Sequence, residues 1–170
     1  MKKYLLALMV MCFTCLSAAA SNPVNYTKGD KKFFSKGQGT ASLVINWSNA
    51  TFENTKSVQD EFGADWGAAQ QAAATEFSKA LNKENKNLSI VDGAADYQIT
   101  INVKSLERKS KLLKISWSYG PATIMCGTLT VTDKSGAVVV ECELDNVEGQ
   151  NDYTPVDGLG KCFKKLAEKL

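Results

Sequence analysis

Histidine is absent from the 170 residues of this chain. Its absence removes Ser-His-Asp and Cys-His catalysis, His-ligated zinc and the usual proton shuttle near neutral pH. Carboxylates, lysine or a lone thiol are the chemistries that remain. Beyond residue 20 there is no Cys-x-x-Cys pair either, which argues against thioredoxin-like redox exchange. No apolar run reaches the roughly 20 residues that a comfortable membrane span needs. Charge of one sign is also missing once the first segment is set aside. Lys2 and Lys3 leave with it, so the 20 Lys and Arg fall to 18 against 18 Asp and Glu. A neutral chain exerts no global pull on nucleic acid or anionic lipid.

What is present begins with MKKYLLALMVMCFTCLSAAA. Two lysines form a positive n-region, Tyr4 to Leu16 form an apolar h-region, and Ala18-Ala19-Ala20 supplies small residues for signal peptidase. The segment 1–20 is therefore expected to be a cleaved export signal, with the cut between Ala20 and Ser21. Cys12 and Cys15 lie inside it, preceded by Met11 and Thr14. Neither fits the small residue that lipoprotein processing wants before its cysteine. The expectation is a soluble periplasmic or secreted bacterial protein, with a lipid-anchored one as the lesser alternative.

The remaining 150 residues suit one domain. Residues 21–40 are polar and broken by Pro23, Gly29, Gly37 and Gly39, which predicts a flexible N-terminal arm. Residues 41–170 then read as a single α+β domain. Ala41 to Trp47 predicts a mostly buried strand. From about Asp60 to Lys83, Phe62, Trp66, Ala69, Ala73, Phe77, Ala80 and Leu81 recur at steps of three and four, a helical stripe. A short strand is expected at Leu88 to Val91. Tyr97, Ile99, Ile101 and Val103 alternate with polar residues, as a half-buried strand does. A further alternation covers Ile115, Trp117 and Tyr119. A closing helix runs from about Asp157, its expected N-cap, to Leu170, with Leu159, Cys162, Phe163 and Leu166 on one face.

Asp133-Lys134-Ser135-Gly136 separates two β-prone runs and reads as a hairpin turn. With Lys134 and Ser135 central, Val131 faces Val138, Leu129 faces Val140, Gly127 faces Cys142, and Met125 faces Leu144. All of these belong on a buried face, with Cys126 on the other. Cys142 on that face and Cys162 on the helix stripe make Cys142–Cys162 the possible disulfide of an oxidising compartment. Such a bridge would stabilise the domain by roughly 3 kcal/mol on the loop-entropy model. Cys126 is left unpaired.

The remaining constellations have ordinary structural explanations beside their chemical ones. Glu141, Glu143 and Asp145, with Glu148 and Asp152, offer oxygens to a hard cation, but they match no calcium-loop spacing and suit a solvated strand face. Asp60, Glu61 and Asp65 sit where a helix start favours acids. Arg108, Lys109, Lys111 and Lys114 offer an anion site or a solvated loop. Trp47, Trp117, Tyr119 and Tyr153 offer a binding face or packing. Gly158-Leu159-Gly160 is too short for a phosphate loop. No catalytic residue, cofactor site or metal site is assigned.

The order of elements carries one resemblance. A strand ending in Asn49-Ala50-Thr51 precedes an Ala-rich helix. Ala94-Ala-Asp-Tyr-Gln-Ile-Thr-Ile101, the hairpin from Gly127 to Val138 and a closing amphipathic helix follow. This layout resembles small secreted proteins and lipoproteins of bacterial envelopes grouped as a domain of unknown function. It is similar to the curli-assembly and penicillin-binding-protein-activator lipoprotein domains. The missing lipobox cysteine departs from them. The resemblance implies an accessory or binding role in the envelope and carries over no catalytic residue.

The expected fold is α+β, a mainly antiparallel sheet with two helices packed on one face. The expected function is an exported, non-enzymatic envelope or secreted accessory and binding module. Its partner would be a protein or a second copy, with no nucleic acid. The alternatives are a hydrolase or lyase using carboxylates or Lys, and a structural protein that self-associates through a strand edge.

Overall fold

A computed structural model of the chain describes residues 22–85, 87–109, 121–150, 152 and 154–170. Among them, eight strands form one sheet in the order β1-β8-β7-β6-β2-β5, with β3 and β4 branching from β6. The strands are β1 (Val24–Lys28), β2 (Gly39–Asn46), β3 (Thr51–Phe52), β4 (Lys56–Ser57), β5 (Leu88–Ile90), β6 (Tyr97–Lys109), β7 (Ala122–Asp133) and β8 (Val138–Glu148). The helices are α1 (Phe33–Lys36), α2 (Val58–Phe62), α3 (Trp66–Glu84) and α4 (Pro155–Ala167).

The α+β class holds, with a mixed sheet. Strands β1, β8, β7 and β6 are successive antiparallel neighbours. Strand β2 lies parallel to both β6 and β5. The 19-residue α3 between β2 and β5 carries the chain back to the end from which β2 started, and such a crossover imposes parallel pairing.

Both long helices cover one face. The apolar stripe of α3 buries Ala69, Ala73, Phe77, Ala80 and Leu81, and α4 buries Leu159, Cys162, Phe163 and Leu166. They meet Ile99, Ile101, Leu129, Val131, Val140 and Cys142 from the sheet. Each large side chain fully buried there contributes about 1.5–3 kcal/mol. Small residues let the helices approach: a Cβ on Gly160 would lie 3.5 Å from the Ala72 Cβ.

Four expectations need correction. The described part of the expected arm, residues 22–40, carries regular structure: β1 pairs with β8 through Val24↔Leu144 and Tyr26↔Cys142, and α1 buries Phe34. The glycines and proline there punctuate short elements. The β7–β8 faces are as expected, but the register is displaced by two residues, with Val131↔Val140 and Leu129↔Cys142. Gly136 at φ +83° extends the turn to three residues, and a bulge follows at Val131/Thr132. The N-cap of α4 is Thr154. Its hydroxyl accepts from the Asp157 amide at 3.1 Å and donates to the Asp157 carboxylate at 2.6 Å.

The fourth correction is the disulfide. Cys142 and Cys162 are both buried in the helix-facing layer, as free thiols. The Cys162 thiol donates to the Val147 carbonyl at 3.1 Å. Val147 lies five residues beyond Cys142 on the same strand, about 16 Å along it at ~3.3 Å per residue. A bridge needs Cα atoms within about 7 Å. The shared layer was legible; the position along it was not. The expected strand at 115–119 lies outside the described residues, as do Ala20 and Ser21.

Candidate functional site

At the carboxyl end of β2 the chain makes a tight corner. The Asn46 carboxamide oxygen accepts from the Ser48 amide at 3.0 Å and from its hydroxyl at 2.7 Å. Its nitrogen donates to the Asn102 side chain at 3.1 Å, which anchors the corner to β6. The Ala50 amide closes the turn on the Trp47 carbonyl at 2.9 Å. Trp47 is thereby held against the first residue of α3. Its ring meets Trp66 edge-on at 5.2 Å and Phe163 at 5.6 Å, and Trp66 in turn lies 6.0 Å from Phe62. Aromatic pairs in these geometries add about 0.5–1.5 kcal/mol beyond their buried area.

The two indoles are half-buried and border an open cleft of about 380 Å³. Asn46, Ser48, Ser57, Gln59 and Gln70 supply its polar lining, and no side chain of the lining is ionisable. Ser57 caps α2 by accepting from the Asp60 amide at 3.0 Å. The volume falls within the range of small-ligand sites, about 300–1,000 Å³. Such a lining exchanges neutral hydrogen bonds. It offers no general acid or base to activate its serine hydroxyls.

Of the other sequence candidates, Glu143 and Asp145 line a second cleft with Lys31 and Lys169, and Asp152 lines a third with Glu76, Asp157 and Lys161. Glu141, Glu143 and Asp145 are exposed along β8. Asp152 forms an ion pair with Lys161, and Glu148 is engaged elsewhere. No group of three acidic or cysteine ligands able to hold a metal is found among the described residues. Glu61 pairs with Lys56, while Asp60 and Asp65 are exposed. Lys109 pairs with Glu107 at 3.0 Å. Lys111, Lys114, Trp117, Tyr119 and Tyr153 lie outside the described residues. Gly158 and Gly160 are interior positions of α4, Gly158 against Thr123 and Gly160 against Ala72. Burial pushes the thiols of Cys142 and Cys162 up to about 12, which makes them poor nucleophiles.

Of the four aromatics proposed for a binding face, Trp47 is the one among the described residues, and it lines the cleft. Trp66 was legible only as a member of the α3 stripe, and Gln59 carried no signal. The pairing of the two tryptophans depends on the β3–β4 excursion between them.

No protein-family model matches the chain, and no curated protein matches it by sequence. Among solved structures, the PelC dodecamer from Paraburkholderia phytofirmans aligns at a TM-score of 0.45 and 18% identity, covering 86% of this chain and 97% of that one. A single-site variant of that dodecamer aligns at 0.43 and 16%, covering 86% and 94%. Both likenesses are partial. No helix among the described residues is long and apolar enough to cross a membrane.

Proposed function

We propose that the protein is an exported accessory module of the bacterial envelope that binds its ligand without transforming it. The observation that carries this reading is the cleft at Trp47 and Trp66, concave and aromatic but free of ionisable side chains. General acid–base and nucleophilic catalysis both need such groups within reach of the reacting atoms. The compartment follows from the leader at 1–20 and from the envelope resemblance of the strand and helix order.

Two measurements test it. Cell fractionation with intact-mass analysis should recover a chain beginning at Ser21 outside the cytoplasm. Full-length protein retained in the cytoplasm would overturn export. Incubation of the purified protein with a soluble envelope extract should leave the extract chemically unchanged and yield a small molecule that co-elutes with the protein. Trp66→Ala should abolish that co-elution while leaving the circular dichroism intact. Conversion of an extract component would restore the hydrolase or lyase reading.

A further inference from the structure

We propose that the outer edge of β2, from Ser42 to Asn46, is a strand-addition site for an extended, uncharged peptide segment of a partner protein. The edge runs into the Trp47–Trp66 cleft, so this assignment rests on the binding reading above and names its ligand class.

The outermost row of the sheet has a gap at this edge. Strand β5 covers β2 only from Gly39 to Ala41, and β4 covers β3 at Thr51 and Phe52. Between them, β2 pairs with β6 on one side and with no described strand on the other. Main-chain groups alternate in direction along a strand. The Gly39 N–H donates to the Asn87 carbonyl and the Ala41 carbonyl accepts from the Val91 N–H, so the odd-numbered residues of β2 face outward. Leu43 and Ile45 therefore turn their N–H and C=O groups to the gap, at the two-residue repeat of about 6.6 Å. An extended polypeptide carries complementary groups at that repeat, and a segment of about five residues fills the gap.

The rest of the rim is guarded by the chain itself. On β5, the Asn82 carboxamide accepts from the Ile90 N–H at 2.7 Å and donates to the Ile90 carbonyl at 3.4 Å. On β1, at the opposite edge, the Val24 N–H donates to Asn22 at 3.3 Å, and the strand bulges before the charged Lys28. Caps, bulges and lysines of this kind stop an edge from templating another strand. Ser42-Leu43-Val44-Ile45-Asn46 carries no proline, no charge and no bulge. Val44, at 41% exposure, is the one exposed large apolar side chain among the described residues.

Side chains set the class of peptide. A strand laid in the gap places alternate residues beside Val44 on one face and toward Gln59, Gln70 and Trp66 on the other. Neither the cleft lining nor Ser42 to Asn46 holds an ionisable group, so a charged residue would shed its hydration without a counter-charge. A second copy of this chain is the poorer occupant. Its β2 edge is a gap of the same kind, interrupted by β5, and its β1 edge is capped and bulged.

The test is amide hydrogen exchange of the isotope-labelled mature protein with a capped Thr-Val-Thr-Val-Thr peptide. Without peptide, the Leu43 and Ile45 amides should exchange fast and the Val44 amide, bonded to β6, slowly. Saturating peptide should slow Leu43 and Ile45 by about tenfold or more and leave Val44 unchanged. Two further peptides are N-methylated, one at its valines and one at its threonines. The form that loses the donors facing β2 should bind about tenfold or more weakly, since each hydrogen bond contributes on the order of 1 kcal/mol. The other form should bind like the parent. Equal affinity of the two methylated forms, or unchanged exchange at Leu43 and Ile45, overturns the peptide assignment and leaves the binding reading to the extract experiment. Undiminished binding of a form with glutamate at both valine positions overturns the uncharged class. Slow exchange at Leu43 and Ile45 without peptide, in a species whose mass rises with concentration, overturns the assignment in favour of a second copy. Cleavage of the peptide overturns both readings.

Discussion

Gly149 lies directly against the backbone of Cys162. A Cβ at Gly149 would come within 2.7 Å of the Cys162 amide nitrogen and 2.8 Å of its Cα. Neither atom can move without displacing α4 from the sheet. Gly149→Ala should therefore destabilise the domain by about 1–3 kcal/mol, the usual cost of overpacking. Gly160 provides the control. Its added Cβ would meet the flexible Glu76 side chain at 3.3 Å, and alanine gains about 1 kcal/mol of helix propensity over glycine. Gly160→Ala should stay close to the parent. Urea unfolding checks both, with the midpoint shifting at constant slope.

The β3–β4 hairpin contains removable strain. Glu53 and Asn54 occupy the left-handed region at φ 49° and 57°, and the Thr55 amide closes the turn on the Phe52 carbonyl at 3.0 Å. Two successive residues of this kind favour Asn-Gly. The double change Glu53→Asn, Asn54→Gly should raise stability by roughly 1 kcal/mol. A higher thermal midpoint would bear this out, and an unchanged one would show that the turn is relaxed.

The legible parts of this fold are those where hydrophobic periodicity decides the structure. The α3 stripe and the alternation of β6 each bury the residues that the pattern selects. The faces of β7 and β8 follow for the same reason, since a one-residue slip exchanges them. A two-residue slip preserves the faces, so their register rested on the turn, where Gly136 adds a residue. That distinction also placed Cys142 and Cys162 in one layer without bringing them together. Strand β1 was illegible because Val24 and Tyr26 supply too short an alternation between breaking residues. Parallel pairing leaves no local mark at all. The cleft was half legible: Trp47 stood out as an aromatic, but its meeting with Trp66 depends on where β2 ends and α3 begins.

Thiol chemistry separates the cysteines. Cys126 is partly exposed, whereas Cys142 and Cys162 are fully buried and have their thiols pushed up to about 12 by desolvation. An aromatic disulfide reagent should label Cys126 alone in the native mature protein, and all three thiols in denaturant. Cys126→Ser should abolish the native reaction. Intact mass should not change on reduction; a gain of two daltons would establish a bridge that this packing does not form.

Asp96 joins three parts of the sheet. Its carboxylate accepts from the Thr40 amide at 2.9 Å, the Thr40 hydroxyl at 3.1 Å and the Lys134 ammonium at 2.8 Å. Lys134, followed by Thr40, holds its pKa at about 2, below the ordinary value of 3.8. A depressed carboxylate favours the folded state wherever it is ionised there, so its contribution is complete above about pH 4 and disappears as the pH falls toward about 2. The side chain is about half exposed, which makes the effect small and sensitive to salt. Asp96→Asn should be less stable than the parent at neutral pH. The gap should narrow between about pH 4 and 2 and close below that. Urea midpoints measured across this range check the sign. A gap that widened with acid would mean that the carboxylate opposes folding, and so that Lys134 and Thr40 do not hold it in its charged form.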